Sequence, residues 1–196
     1  MADAADANPA SPSATVRLAT PGDVEALGAV TGRAYAAAYP GIVPQAALDE
    51  WIADAPAMWL RWRAAVEERP PDHPSRAWVA ERDGAIVGYA TTSPATSEFL
   101  PPPDGAGELT NLYLDPSTIG TGIGRLLYDH AVRDLFARAF DPLVVWAFRD
   151  NPLAQRFYPR MGLTVDVTDH AWVLGGVPCP LVRFRGDRPP DASPAG

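Results

Sequence analysis

The stretch DPSTIGTGIGRLLYDH, residues 115–130, constrains this chain more than any other: glycines at 120, 122 and 124 run straight into an amphipathic segment. Ile123, Leu126, Leu127, Ala131 and Leu135 recur at helical spacing, so a helix must begin inside the glycine run. GELTNLYLD (107–115) reads as a strand just before it, which makes the unit strand, glycine turn, helix. The first amides of such a helix have no acceptor within it and lie at the positive end of its dipole. Glycine leaves those amides open to an anion such as a pyrophosphate. Two nucleotide signatures fail on spacing. The dinucleotide fingerprint counted from Gly120 requires a glycine where Arg125 stands, and no Gly-Lys pair follows for a P-loop. Taken alone, the glycine run fits a purely conformational turn equally well.

The flanking pattern alternates strands and helices. TVRLA (15–19) predicts a strand, and the segment from Thr20 predicts a helix with Thr20 as N-cap and Pro21 in its first turn. A second helical region spans about 44–69 and is expected to divide near Pro56. RAWVAERDGAIVGYATTS (76–93) predicts a hairpin turning at Asp83-Gly84. PLVVWAF (142–148) predicts a strand buried on both faces. NPLAQRFYPRMG (151–162) predicts a short helix ending at Gly162, and two strands follow from LTVDVTDHAWVLGG and PCPLVRFR. The order β-αα-βββ-α-β-α-ββ implies an α/β fold, a mixed sheet with helices on its faces. In the strand at 107–115, Leu109 lies on the opposite parity from Leu112 and Leu114. Either a one-residue bulge brings all three to one face, or the strand is buried on both sides.

Residues 1–14 and 186–196 are rich in Ala, Asp, Pro and Ser and are expected to be disordered tails around a single domain at 15–185. Acidic residues outnumber basic ones by 24 to 16, a net charge of −8, which argues against nucleic acid as a partner and mildly favours cationic small molecules. No apolar run is long enough for a membrane helix and the first residues do not read as a secretory signal, so a soluble, cytoplasmic protein is expected. One cysteine, Cys179, and the scattered His73, His130 and His170 suggest no metal site; Cys179 reads as a small buried hydrophobe.

With its flanks the glycine unit becomes specific. ELTNLYLDPSTIGTGIGRLL resembles the acyl-CoA-binding motif of the GNAT superfamily of acetyl-CoA-dependent N-acetyltransferases. NPLAQRFYPRMGL is similar to the same family's second motif, and VRLATPGDVEALGAV to its opening strand and helix. The resemblance runs over about 15–185 and implies a central mixed sheet of about seven strands with about four helices. It implies acetyl-CoA as cosubstrate, no metal, and direct attack of an amine on the thioester. The implied cofactor-binding residues are Leu112, Tyr113, Leu114, Gly120, Thr121, Gly122, Ile123, Gly124, Arg125 and Asn151. The Leu112–Leu114 backbone would pair with the pantetheine arm and the Leu114 amide would face the developing oxyanion. For Asn151 an N-cap role before Pro152 comes first and cofactor contact second.

Three chemical jobs follow: removing a proton from the amine, stabilising the oxyanion, and protonating the leaving thiolate. The resemblance puts Tyr158 in the last role, against the plain alternative of a packing aromatic. Glu108 is the candidate base, with a water chain or a merely solvated charge as alternatives. Tyr35 and Tyr39, with Trp51, Trp59 and Trp62, are the aromatics available for an acceptor site, although most are expected in the core. The sequence departs from the family pattern at Ile119, where a Gln or Arg is usual, and at Pro159, which removes an amide beside Tyr158. The acceptor is expected to be a small primary amine; a protein or peptide amine, or a noncatalytic CoA sensor, are the alternatives. A homodimer stays open.

Overall fold

A computed structural model describes residues 14–68, 73–96 and 100–188. Most of the two expected tails, at 1–13 and 189–196, lies outside the described residues. Seven strands form one sheet: β1 (Thr15–Leu18), β2 (Arg76–Arg82), β3 (Ala85–Pro94), β4 (Gly107–Leu114), β5 (Leu143–Phe148), β6 (Thr164–Leu174) and β7 (Val177–Gly186), in the order β1-β2-β3-β4-β5-β7-β6. Every neighbouring pair is antiparallel except β4 and β5. Four helices complete it: α1 (Val24–Ala38), α2 (Gln45–Glu67), α3 (Ile123–Ala137) and α4 (Pro152–Arg160). The element order is the one the sequence predicts.

The two faces are covered by different helix pairs. Leu127, Ala131 and Leu135 of α3, with Tyr158 of α4, pack on Leu109 of β4 and Val145 of β5. On the other face Leu27 and Val30 of α1 pack with Trp59 of α2 and Tyr89 of β3. The hairpin turns at Asp83-Gly84, both with positive φ, as a two-residue connection requires.

Two local expectations change. Helix α2 is continuous through Pro56 rather than divided there. Proline removes one amide, but packing outweighs that loss: α1 lies so close that a Cβ on Gly28 would sit 3.0 Å from the Pro56 Cα. The helix after β1 starts later than expected, at Val24, because Pro21–Asp23 form a 3-10 turn. The Asp23 carboxylate folds back to accept from the Thr20 amide at 2.7 Å and the Thr20 hydroxyl at 2.9 Å.

Asp23 is also gripped by both terminal nitrogens of Arg17, at 2.8 and 2.9 Å. The Arg17 hydrogen bonds, joined by those from Thr20, hold its carboxyl down to about 2, below the ordinary carboxylate value. A depressed folded-state value stabilises the fold above the unfolded carboxylate's pKa, and that stabilisation disappears as pH falls from about 4 towards 2. Asp23→Asn should therefore cost roughly 1–3 kcal/mol at neutral pH, as expected for a lost charged hydrogen-bond set. Urea unfolding at pH 7 and at pH 2.5 checks this: the gap between wild type and variant should shrink at the lower pH.

Candidate functional site

Strand β4 carries a bulge. Thr91 of β3 pairs with Asn111 and Thr92 pairs with Leu109, so Thr110 is the extra residue. The Thr110 hydroxyl lies 2.6 Å from the Thr91 hydroxyl, and the Asn111 side-chain Nδ2 donates to that Thr91 oxygen at 2.7 Å. The bulge puts Leu109, Leu112 and Leu114 on the α3/α4 face, where all three join one apolar cluster. Of the two readings of the strand's parity, the bulge is the one found. Glu108 and Tyr113 then belong to the opposite face.

The bulge also sets which way the amides point. Beyond it, the Asp115 amide donates to the Val87 carbonyl at 2.8 Å. In an antiparallel ladder this pattern repeats every second residue, so Tyr113 bonds to β3 while the amides of Leu112 and Leu114 turn towards β5. Yet β5 pairs with β4 only at Gly107–Leu143 and Glu108–Val144 before the strands part. The Leu112 and Leu114 amides therefore face a gap in the sheet, with Glu108 in the last pair before it opens.

The gap leads into a cavity of about 820 Å³. Its walls come from both faces of the sheet, with Tyr35 and Trp51 on one side and Arg125, Asn151 and Tyr158 on the other. At the α3/α4 end the glycine turn is fixed from behind. Asp115 accepts from the Ser117 amide at 3.0 Å and hydroxyl at 2.6 Å, and Arg33 of α1 donates to its other oxygen at 2.7 Å. Ser117 first, then Arg33, keeps this carboxyl below its ordinary value. Gly120 and Gly122 have φ of +86° and +88°, and a Cβ on either would meet nothing within 4 Å. Open space over left-handed backbone, at a helix start whose first closing bond is Leu126 to Gly122, is the cradle expected for an anion.

The implied cofactor residues divide in the structure. Leu112, Tyr113, Leu114, Gly120, Gly122, Gly124, Arg125 and Asn151 line the cavity. Ile123 is a core residue, so only its amide is available to a ligand. The Thr121 hydroxyl turns away to donate to the Thr118 carbonyl at 2.7 Å. Tyr113 belongs by its ring to the α1/α2 face, where its hydroxyl meets that of Tyr39. Asn151 is the N-cap of α4, its side-chain oxygen accepting from the Leu153 and Ala154 amides at 3.0 and 3.3 Å. Tyr158 lies in α4 with its ring against Phe184 and Phe157. Burial, with Tyr39 and Tyr128 adding, pushes its phenol above the ordinary value, so it stays protonated through neutral pH. Glu108 is half-buried at the cavity wall.

Among the candidate aromatics Tyr35, Tyr39 and Trp51 line the cavity. Trp59 does not: it is 2% exposed and donates to the Thr31 hydroxyl at 2.8 Å. Trp62 packs beside it. Sequence reasoning missed Phe148 and Trp172, which complete the aromatic wall. Phe148 had a signal in its place at the carboxyl end of a buried strand, where sites in α/β sheets gather; Trp172 had none. Cys179 is buried, as expected. No helix among the described residues is long and apolar enough to cross a membrane.

The sequence model of the Acetyltransferase (GNAT) family matches residues 37–163, and the chain belongs to that family. A mycothiol acetyltransferase of Streptomyces griseus is 30% identical over 157 residues, covering 79% of this chain and 44% of its own length. One of Frankia casuarinae is 32% identical over 100 residues, or 49% of this chain and 29% of the relative. The chain thus spans less than half the length of these relatives. In fold it resembles the PaiA N-acetyltransferase of Thermoplasma acidophilum in complex with coenzyme A, with a TM-score of 0.71 at 19% identity over 90% of this chain and 99% of that one. YncA of Salmonella typhimurium, solved with acetyl-CoA, gives a TM-score of 0.62 at 20% identity over 93% and 98%.

Ile119 lines the cavity beside the glycine turn with 44% of its surface exposed. A cation there would reach a phosphate at the cradle through a charge-assisted hydrogen bond. Calorimetry with coenzyme A should find Ile119→Arg binding about 3–10-fold tighter than wild type, the worth of roughly 1 kcal/mol, with the gain fading in high salt. Equal affinities would separate the glycine turn from the phosphates.

Proposed function

We propose that this chain transfers an acetyl group from acetyl-CoA to the primary amine of a small molecule. The observation that carries the reading is the parted β4–β5 pair, whose two inward amides lead directly to a glycine-started helix. Such a gap accepts an extended, amide-bearing arm as a substitute strand, and the helix start accepts its phosphates. The names of the curated relatives favour a small acceptor, as does a cavity lined in part by aromatic rings.

Acetyl-CoA supplies an activated acyl carbon: a nitrogen–carbon bond forms, a carbon–sulfur bond breaks, nitrogen loses a proton and sulfur gains one. The chain's own groups divide this work. The Leu112 and Leu114 amides hold the arm in the gap, and the Leu112 amide, the one nearer Glu108, donates to the acyl oxygen as it gains charge, rather than Leu114, which lies six residues from Glu108 towards the phosphate end. Arg125 and the amides of Gly122–Arg125 neutralise phosphate charge at the far end. Glu108, at the vertex where the strands part and on the acceptor face, takes the amine's proton directly or through water. Tyr158, kept neutral by burial, donates to the sulfur from the α4 side. A phenol is a weaker acid than a free thiol, so the transfer depends on placement more than on driving force.

Thiol release in the presence of acetyl-CoA and a panel of primary amines tests the reading. Release with no amine, or binding of acetyl-CoA with no turnover on any amine, would contradict it. Glu108→Gln should slow kcat/KM about a hundredfold or more and remove the acidic limb of its pH profile. Retention of both rate and limb would transfer the base role to water. Tyr158→Phe keeps the ring packing and should lower the single-turnover rate about 10²–10⁴-fold, the range of a positioned general acid. A wild-type single-turnover rate would remove Tyr158 from the chemistry.

A further inference from the structure

We infer that the acceptor of this transferase is a cationic amine carrying a flat aromatic ring, seated in a corner built by Trp51, Phe148, Trp172, Tyr35 and Tyr39. The inference rests on the acetyl-transfer reading and concerns the α1/α2 end of the same cavity.

The ring geometry is the first ground. Trp51, Phe148 and Trp172 come from α2, β5 and β6, yet their planes nearly agree: Phe148 and Trp172 are 6° apart, and Trp51 is 26° from each. Their centroids are 5.4–6.3 Å apart. Tyr35 and Tyr39 meet Trp51 at 61° and 81° and each other at 50°, so both are steeply inclined to the first set of rings without sharing a plane. All five line the cavity. A planar guest in that corner meets ring faces on one side and ring edges on the other, the two favourable aromatic arrangements.

Polarity is the second ground. The hydroxyls of Tyr39 and Tyr113 bond to each other, so this part of the wall presents apolar ring rather than an open hydrogen-bonding group. A polyhydroxylated acceptor would lose hydration against these rings and would have to reach past them, to Ser93, Thr110 or Asn111, for hydrogen bonds. An aromatic body loses little.

Charge is the third. The cavity's guanidinium groups, Arg125 and Arg160, lie on α3 and α4, where the cofactor phosphates are proposed to bind. The carboxylates, Glu108 and Asp54, lie on β4 and α2, Asp54 in a 2.6 Å ion pair with Arg61. The cavity's guanidiniums and carboxylates thus lie on different elements, with the Asp54 charge offset by Arg61. An ammonium is drawn to the aromatic end chiefly by the ring faces.

The test compares 2-phenylethylamine with 2-cyclohexylethylamine, spermidine and glucosamine in thiol release, and follows amine binding separately by tryptophan fluorescence with coenzyme A present. The flat ring should give kcat/KM at least tenfold above the cyclohexyl analogue, spermidine and glucosamine. Trp172 is 37% exposed, so Trp172→Ala can be made at modest cost to the fold. It should raise KM for 2-phenylethylamine about tenfold or more while moving kcat little, and Trp172→Phe should restore most of the loss. Preference for spermidine or glucosamine, or an unchanged KM in Trp172→Ala, would overturn the inference while leaving acetyl transfer standing. Saturable fluorescence quenching by 2-phenylethylamine that Trp172→Ala weakens, with no thiol released by any amine, would uphold the ring site and defeat acetyl transfer instead.

Discussion

The early parting of β4 from β5 governs this molecule. A strand in the middle of a sheet normally fills both rows of its backbone groups, because a buried amide without a partner costs as much as a lost hydrogen bond. Here two residue pairs are made and then the ladder stops. The sheet survives because β5 is held on its other side by β7 along all six of its residues, and β4 by β3 along its length. The gap is therefore bounded by two strands, each anchored along its outer edge and unpaired with the other beyond Glu108 and Val144. An extended ligand is proposed to fill it.

The bulge at Thr110 makes that slot usable. Without it, the residues facing the gap would keep the odd parity of Gly107 and Leu109, and the apolar side chains beyond would leave the α3/α4 core. With one extra residue, Leu112 and Leu114 bury their side chains with α3 while turning their amides to the gap. Glu108 and Tyr113 face the α1/α2 side. In the reading proposed above, the phosphates take the glycine-started helix, the arm runs down the gap to a thioester near its vertex, and the acceptor lies on the Glu108 and Tyr113 side. The Arg33–Asp115 ion pair crosses between these halves and ties α1 to the turn that opens onto α3.

Much of this was legible in the residues. Element order, the Asp83-Gly84 hairpin and the Asn151 cap follow from local chemistry acting over a few residues, and the sequence carries such signals directly. The β4 bulge was legible as one of two alternatives, since parity alone cannot separate it from burial on both faces. The divergence of β4 from β5 was not legible, because it depends on how far two strands separated by a helix stay in register. Pro56 misled for a similar reason: the local rule counts a lost hydrogen bond, while the close approach of Gly28 is a tertiary fact. The aromatic wall was half visible. Trp51, Asp54, Ala55 and Met58 form one helical stripe on the cavity, whereas Trp59 is turned about 80° from Trp51 and Trp62 sits roughly 16 Å further along the axis. Phe148 and Trp172 reach the same wall from strands distant in sequence, which no local pattern encodes.

Backbone amides of β4 and of the α3 start, rather than a set of charged side chains, are proposed to form the cofactor slot. Amide-resolved NMR of the whole chain, titrated with coenzyme A, tests it most directly. The amides of Leu112, Leu114 and Gly120–Arg125 should shift most, while those of Tyr113 and Asp115, already bonded to β3, should shift less. Saturable binding that leaves Leu112 and Leu114 unmoved would contradict it.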